Sequence, residues 1–91
     1  MTHTIIAGIQ ILPKGNEEKK AEALKKALTV IEQSGLHFHK DHFEIIVEGN
    51  FEQVVRVIEA VQLSSFNAGI DELLLNVRFH SQNGKDLKLN K

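Results

Sequence analysis

Apolar residues recur along the 91-residue chain with two different spacings, and the places where the spacing changes predict six structural elements. Alternation at every second residue is typical of a strand with one buried face, and recurrence every three or four residues is typical of an amphipathic helix. Alternating patterns cover 4–12, 36–49 and 72–80, and helical patterns cover about 17–34 and 51–68. The middle alternating segment contains Lys40-Asp41, where we expect the turn of a β-hairpin. The predicted order of elements is therefore β-α-β-β-α-β.

Each predicted strand has one face that is more apolar than the other. In the first strand the odd-numbered residues are all apolar, and Pro13, which has no N–H, is expected to end the strand. The apolar faces comprise Ile5, Ala7, Ile9 and Ile11 in the first strand, Phe43, Ile45 and Val47 in the second strand of the hairpin, and Leu73, Leu75, Val77 and Phe79 in the last strand. We expect these faces to point towards the helices.

Both predicted helices carry start and stop signals, and Gly69 closes the second helical segment. Asn16 is followed by two glutamates, and Asn50 is followed by Gln53 in a capping-box arrangement. Such residues satisfy the free N–H groups of a first helical turn. Gly35 accepts the left-handed conformation that follows a helix end. The positions predicted to be buried are Ala21, Leu24, Leu28 and Ile31 in the first helix, and Phe51, Val54 or Val55, Ile58, Val61 and Phe66 in the second.

This order of elements is the split βαβ, or ferredoxin-like, pattern. Crossovers of this kind are right-handed, so both helices are expected to cover one face of a four-stranded antiparallel sheet. The expected fold class is therefore an α+β ferredoxin-like sandwich. A chain of 91 residues has room for one domain, which we place at 1–80. The remaining segment, 81–91, is polar and basic and is expected to be a tail that is either frayed or used in a contact.

The sheet face opposite the helices has no cover within one copy of the chain. By alternation this open face carries both apolar and polar side chains, namely Ile6, Gln10, Leu12, His37, His39, Glu44, Ile46, Glu48, Leu74, Asn76 and Arg78. The mixture is too apolar for a fully hydrated surface and too polar for a core. Two interpretations stay open: the face is a contact between the sheets of two copies, or that contact also contains a ligand pocket.

Composition excludes several classes of function. Eleven Lys+Arg and twelve Asp+Glu give a net charge of −1, without the positive surface expected of nucleic-acid binding. The chain has no Cys, which excludes disulfides and cysteine nucleophiles. No secretion signal and no membrane-spanning apolar stretch are apparent, so we expect a cytoplasmic protein without a membrane partner. Phosphate-binding and serine-nucleophile motifs are missing, and the loop after the first strand lacks the arginine of acylphosphatases. We therefore expect no catalysis and no cofactor.

The segment HFHKDH, residues 37–42, holds three of the five histidines. His37 and His39 lie on one strand face about 7 Å apart, a spacing at which two histidines can share a zinc ion if a third ligand is present. His42 lies across the turn, and no cysteine or HExxH motif completes a site. We interpret these histidines as side chains that line an interface or bond to a ligand, and we expect no metal.

Three segments, in this order and spacing, resemble a known family: IIAGIQILPKG, SGLHFHKDHFEIIVEGN and FNAGIDELLLNVRFH. The shared features are Gln10 and Pro13 in the first strand, Ser34-Gly35-Leu36 after the first helix, Glu48-Gly49 at the end of the hairpin, and Ala68-Gly69 before the last strand. Over about residues 5–80 the chain resembles the small bacterial and archaeal thiamine-binding proteins with a ferredoxin-like fold. It departs from them at Ile45, where many members have a threonine.

The resemblance implies binding of thiamine, or of its hydroxymethylpyrimidine half, without catalysis. It also implies self-association through the sheet into a dimer or tetramer. Ligand chemistry adds candidate residues on the open face: Glu44 or Glu48 can face the cationic thiazolium, and Gln10 and Asn76 can pair with the edge of the aminopyrimidine. The alternative function is a structural or regulatory module that forms homo-oligomers and binds no metabolite.

Overall fold

The computed structural model describes residues 3–90, so residues 1, 2 and 91, at the ends of the predicted domain and tail, lie outside it. The elements are β1 (Thr4–Lys14), α1 (Glu17–Gln33), β2 (His37–Lys40), β3 (Ile45–Asn50), α2 (Phe51–Asn67) and β4 (Glu72–His80). The strands form one antiparallel sheet in the order β2-β3-β1-β4. The predicted α+β ferredoxin-like order is confirmed. No helix in residues 3–90 is long and apolar enough to cross a bilayer.

The predicted helix caps are present. The Asn16 side chain accepts a hydrogen bond from the Lys19 backbone N–H at 2.8 Å at the start of α1. Asn50 and Gln53 form a reciprocal capping box at the start of α2, with distances of 2.8 and 2.9 Å. Gly35 follows α1 with a φ of 78°. Local chemistry therefore sets where the helices begin and where α1 ends.

The core lies between the helices and the odd-numbered residues of the central strands. Its buried members are Ile5, Ala7, Ile9, Ala27, Ile31, Ile45, Val47, Val54, Val57 and Val61. The predicted face of α1 is partly wrong, because Ala23 is fully buried whereas Leu24 is 45% exposed. Both sets have helical spacing, and the small alanine side chains are the ones that allow α1 to lie close to its neighbours.

The predicted face of α2 is also partly wrong. Phe51 and Phe66 are 40% and 44% exposed, and Val57 and Ser65 are buried instead. The Ser65 hydroxyl donates to the Val61 carbonyl oxygen at 2.7 Å, which satisfies this polar group inside the core. The phenylalanines are consequently left at the border of the core, where the two-layer packing does not reach.

Pro13 does not end β1, contrary to the prediction. β1 is paired over different lengths on its two sides: with β3 from Thr4 to Ile9, and with β4 from Ile6 to Lys14. Pro13 therefore lies where β1 has a neighbouring strand on one side only. Proline is tolerated at such an edge because its missing N–H removes no bond within the sheet.

The hairpin turn lies later than predicted and removes Phe43 from the core. β2 ends at Lys40, and the turn is closed by the Asp41 N–H, which donates to the Glu44 carbonyl oxygen at 2.8 Å. β3 begins at Ile45. Phe43 consequently lies within the turn and is 82% exposed, although its sequence parity matches the buried residues of β3.

The segment after β4 folds back on the start of β1. The chain turns at 82–85 and then runs beside Thr4. The Thr4 N–H donates to Asp86 Oδ1 at 2.8 Å, and the Thr4 carbonyl accepts from the Leu87 N–H at 3.0 Å. Leu89 is 9% exposed. This segment is thus used in a contact, which was one of the two expected outcomes, while the boundary between domain and tail stays a prediction.

Candidate ligand-binding site

The open face of the sheet is organised in cross-strand rows that the register fixes. The rows are His37, Glu48, Ile6 and His80; His39, Ile46, Gly8 and Arg78; Gln10 and Asn76; and Leu12 and Leu74. Gly8 has no side chain, so the centre of the face is a shallow depression over the backbone of β1. The predicted mixture of apolar and polar residues is therefore found on this face.

Glu44 reaches across the depression over Gly8 to the other side of β1. Its carboxylate accepts hydrogen bonds from Arg78 Nη2 at 2.9 and 2.7 Å. A Cβ at position 8 would overlap Glu44 Oε1, so glycine is what allows the carboxylate to lie there. The Glu44 side chain is 21% exposed, whereas that of Arg78 is 79% exposed. An ion pair with one partner so exposed contributes only about 0–1 kcal/mol to stability.

Three of the four predicted ligand-binding residues lie together. The Asn76 side-chain amide donates to Gln10 Oε1 at 2.9 Å. With Glu44, Phe43 and Arg78, this pair lines a depression of about 400 Å³. The predicted polar residues are therefore already engaged with protein partners: Gln10 with Asn76, and Glu44 with Arg78.

Glu48 lies apart from this group. It is four residues from Glu44 along the chain, or about 13 Å in an extended strand. Its Oε2 atom is 3.3 Å from Nδ1 of His37 in the neighbouring strand. Residues 3–90 contain no group of three or more His, Asp or Glu side chains arranged to hold a metal ion. The structure thus places Glu48 in a cross-strand pair with a histidine, away from the other candidate residues.

A second opening lies at the edge of the sandwich, between α1, the second half of β1 and the hairpin turn, and has a volume of about 530 Å³. We name it the edge cavity. Its apolar lining comes from β1, α1, the turn and the start of β3, and consists of Ile9, Ile11, Leu12, Leu24, Leu28, Phe43 and Ile45. Its polar or charged lining consists of Gln10, Lys25, Lys40, Asp41, His42 and Glu44. This volume is within the range of about 300–1,000 Å³ that is usual for small-molecule sites.

Sequence reasoning missed the edge cavity because a difference in strand length creates it. β3 begins at Ile45, opposite Ile9, while β1 continues for five more residues. Parity assigned Gln10 and Glu44 to the open face, which is correct, but both also border this cavity around the edge of the sheet. The exposed side chains of Phe43 and Leu24 both line this opening.

Known structures share this fold. A domain of unknown function from Bacillus cereus superposes with a TM-score of 0.91 at 19% identity, covering 99% of this chain and 86% of that one. A protein assigned to thiamine biosynthesis or salvage in Thermotoga maritima gives 0.81 at 15% identity, covering 92% and 89%. A hypothetical protein from Methanocaldococcus jannascii gives 0.82 at 16% identity, covering 93% and 87%. At these identities the likeness concerns the fold alone.

Family membership comes from the sequence itself. No curated protein matches the chain significantly. The family model described as "Thiamine-binding protein" matches residues 7–91, which includes every strand and helix except the first three residues of β1. This range contains the shared segments identified in the sequence apart from Ile5 and Ile6, and the chain therefore belongs to the thiamine-binding protein family.

Proposed function

We propose that the protein binds thiamine, or a molecule with its pyrimidine half, in the edge cavity. The observation that carries this proposal is the combination, in a member of this family, of a ligand-sized apolar cavity with a partly buried carboxylate at its rim. Apolar walls provide contact for aromatic rings, and a few placed polar groups provide orientation. Glu44 supplies the negative charge that the cationic thiazolium requires.

The contacts of Glu44 favour exchange of one cation for another. Both of its hydrogen bonds come from a single Arg78 nitrogen, so the pair lacks the two parallel bonds of a forked Arg–carboxylate contact. Arg78 is mostly in solvent and loses little by moving away. A thiazolium beside Glu44 can therefore replace the guanidinium without leaving a buried charge unpaired. Gln10 can exchange its bond to Asn76 for a ligand atom in the same way.

The proposed role is binding without catalysis, with the vitamin as a ligand and not as a cofactor. Family membership supports this role, since the family is described by binding.

The test is a calorimetric titration of the purified protein with thiamine and, separately, with neutral hydroxymethylpyrimidine. We expect saturable binding of both, and we expect Glu44→Gln to weaken thiamine binding about tenfold, as for loss of a charge-assisted contact. The affinity for the neutral pyrimidine should fall much less in this variant. Glu48→Gln is the matched control, because it makes the same change in the same hairpin, on a residue that does not line the cavity. No binding of either compound, or equal losses in the two variants, would contradict the proposal.

A second candidate function is assembly of copies through the sheet, with no metabolite. The observation that favours it is the outer edge of β4, a nine-residue strand that ends the sheet and has exposed aromatic residues beside it. Phe79 and Phe51 are 45% and 40% exposed, and their ring centroids are 5.2 Å apart. Unprotected strand edges of this length pair readily with another chain. Leu74, 47% exposed, offers a contact on the open face instead.

Sedimentation velocity distinguishes the two modes of assembly. The backbone N–H and C=O groups of even-numbered residues of β4 point towards β1, and those of odd-numbered residues point to the outer edge. Val77→Pro therefore blocks the outer edge without removing a bond inside the sheet. Leu74→Glu places a charge on the open face. A dimer that dissociates only with Val77→Pro is joined at the edge, and one that dissociates only with Leu74→Glu is joined through the face. A monomeric natural protein would exclude the assembly function.

A further inference from the structure

The backbone of β1 has one polar group pair that the sheet does not use. In a strand, the N–H and C=O of one residue point to one side, and those of the next residue point to the other. Thr4 bonds through its N–H and C=O to the segment that follows β4, while its other side adjoins Asn50 of β3. The Lys14 carbonyl accepts from the Asp71 N–H at 2.8 Å, again on the side of β4. Even-numbered residues of β1 therefore bond towards β4, and odd-numbered residues bond towards β3.

This alternation shows which backbone groups of β1 have no partner strand beyond Ile9, where β3 no longer accompanies it. The odd-numbered residues up to Ile9 have β3 beside them, whereas Ile11 and Pro13 do not. Pro13 has no N–H to offer. What remains at this edge is the N–H and C=O of Ile11, side by side, followed by the carbonyl of Pro13. Ile11 and Phe43 of the hairpin turn both line the edge cavity, so the side of β1 on which these groups lie is the side that borders the cavity.

A single donor next to a single acceptor suits a small heterocycle better than a peptide strand. A strand that paired here would need a second donor two residues further along, and Pro13 cannot supply one. An aminopyrimidine presents a ring nitrogen acceptor beside an amino donor in one plane, which complements the N–H and C=O of one strand residue. Leu24 and Leu28 of α1 and Phe43 of the turn line the same cavity and provide apolar contact for the faces of such a ring.

We propose that the main chain of Ile11 is the recognition element for the aminopyrimidine end of the ligand. This inference rests on the proposed function and adds to it an orientation: the pyrimidine lies against the edge of β1, and the cationic end lies towards Glu44. Because backbone groups recognise the ligand, specificity for a donor next to an acceptor does not depend on a polar side chain at position 11.

Residue-specific amide hydrogen exchange, measured by NMR on the ¹⁵N-labelled protein, tests the inference. In the free protein the Ile11 amide should exchange fast, while the amides of Gln10 and Leu12, which bond to β4, should be protected. Saturation with 4-amino-5-hydroxymethyl-2-methylpyrimidine should slow exchange of Ile11 by about tenfold or more. It should leave Gln10 and Leu12 nearly unchanged. The analogue without the 4-amino group should bind more weakly, by about tenfold.

A variant pair supplies the second measurement. Ile11→Pro removes the N–H that faces the cavity and no bond to β4, and Ile11→Ala shortens the side chain but keeps the N–H. We expect Ile11→Pro to bind the pyrimidine about tenfold more weakly than Ile11→Ala does. Binding with an unprotected Ile11 amide, or equal affinity of the two variants, would overturn this inference while leaving the proposed function intact. Absence of any pyrimidine or thiamine binding would overturn both.

Discussion

The two ends of β1 differ in what lies beside them. At the first end, Thr4 is paired with Asn50 of β3 on one side and hydrogen-bonded to the returning C-terminal segment on the other. At the second end, from Gln10 onwards, β4 is the one neighbouring strand within residues 3–90, and the other side faces the edge cavity. One strand thus forms part of a closed core at one end and of a ligand-sized opening at the other.

The difference shows how a domain of this size can have a cavity without additional loops. Where β3 lies beside β1, the side chains of Ile5, Ala7 and Ile9 are at most 1% exposed. Where β3 is absent, Ile11 is half-buried, and Leu24 and Phe43 remain exposed around the opening. Starting β3 at Ile45 therefore leaves apolar surface and unpaired backbone groups at one place, which are the two components of a small-molecule site.

The largest expected effect compares the two halves of the strand directly. Ile9→Ala removes a fully buried side chain and should lower the free energy of unfolding by about 3–4 kcal/mol. Ile11→Ala, the matched change at the open end, should lower it by about 1 kcal/mol, because this side chain is only half-buried. Urea titration followed by circular dichroism measures both. Equal losses would show that the open end is packed as tightly as the closed one.

The wall of the cavity offers the next test, at Ile45, where the family resemblance leads us to expect a threonine. Ile45 is 8% exposed and lines the edge cavity, so a threonine there would place a hydroxyl in the wall. Ile45→Thr should lower stability by about 2 kcal/mol, since it removes buried carbon atoms and buries a hydroxyl.

If that hydroxyl bonds to the ligand, Ile45→Thr should bind thiamine about tenfold more tightly than Ile45→Val, which reduces the side chain without adding a polar group. Isothermal calorimetry provides the comparison. The same affinity in the two variants would mean that the ligand has no polar group at this wall.

A smaller effect on stability is expected at Gly8, beneath the Glu44 carboxylate. Gly8→Ala should change the free energy of unfolding by less than about 1 kcal/mol, because alanine is favoured over glycine in a strand and only the end of a side chain must move. It should displace Glu44, and thiamine binding should weaken as it does in Glu44→Gln. The double variant should show no further loss, since both changes act through one carboxylate. Unchanged binding in Gly8→Ala would exclude a role for this placement of Glu44.

The smallest effect concerns the closed end of the strand and its pH dependence. The Thr4 backbone N–H that donates to Asp86 lowers the pKa of that carboxyl below its ordinary value, and the His3 side chain contributes in the same direction. A carboxyl with a lowered pKa in the folded state stabilises the contact above its unfolded pKa and loses that contribution as the pH falls through the folded pKa.

We therefore expect the Thr4 amide to exchange faster once the pH falls through the lowered pKa of Asp86, after correction for intrinsic rates, while the fold persists. Asp86→Asn keeps an acceptor but cannot titrate, so its Thr4 amide should lack this pH dependence. An identical pH profile in the natural protein and in Asp86→Asn would show that another group controls the contact.

The elements of the fold could be predicted because their signals are local. Asn16, Gly35 and the Asn50–Gln53 box act on groups within three or four residues, and they fix helix ends wherever the helix packs. Which stripe of α1 is buried could not be predicted, because Ala21 with Leu24 and Ala23 with Ala27 are equally periodic. Only the distance between α1 and the layer beneath it favours the smaller side chains.

The candidate site was predictable in part for the same reason. Alternation along a strand places Gln10 and Asn76 on the open face, and register then brings them to 2.9 Å. Glu48 has the same parity as Glu44, but parity does not tell how far along the strand a residue lies from a site. Phe43 was assigned to the core because it has the parity of Ile45 and Val47. The Asp41–Glu44 hydrogen bond, and not the apolar pattern, sets where the turn ends, and it leaves Phe43 inside the turn.

By itself, then, the sequence determined the order of elements, the helix caps, the two faces of the sheet and the family, since each depends on chemistry within a few neighbouring residues or on an ordered set of motifs. Tertiary structure alone decided how far β3 extends beside β1, and with it the edge cavity, the tolerance of Pro13 and the free backbone groups of Ile11. These depend on pairing between residues more than thirty positions apart, such as Ile9 with Ile45, where no local preference specifies at which pair the ladder ends.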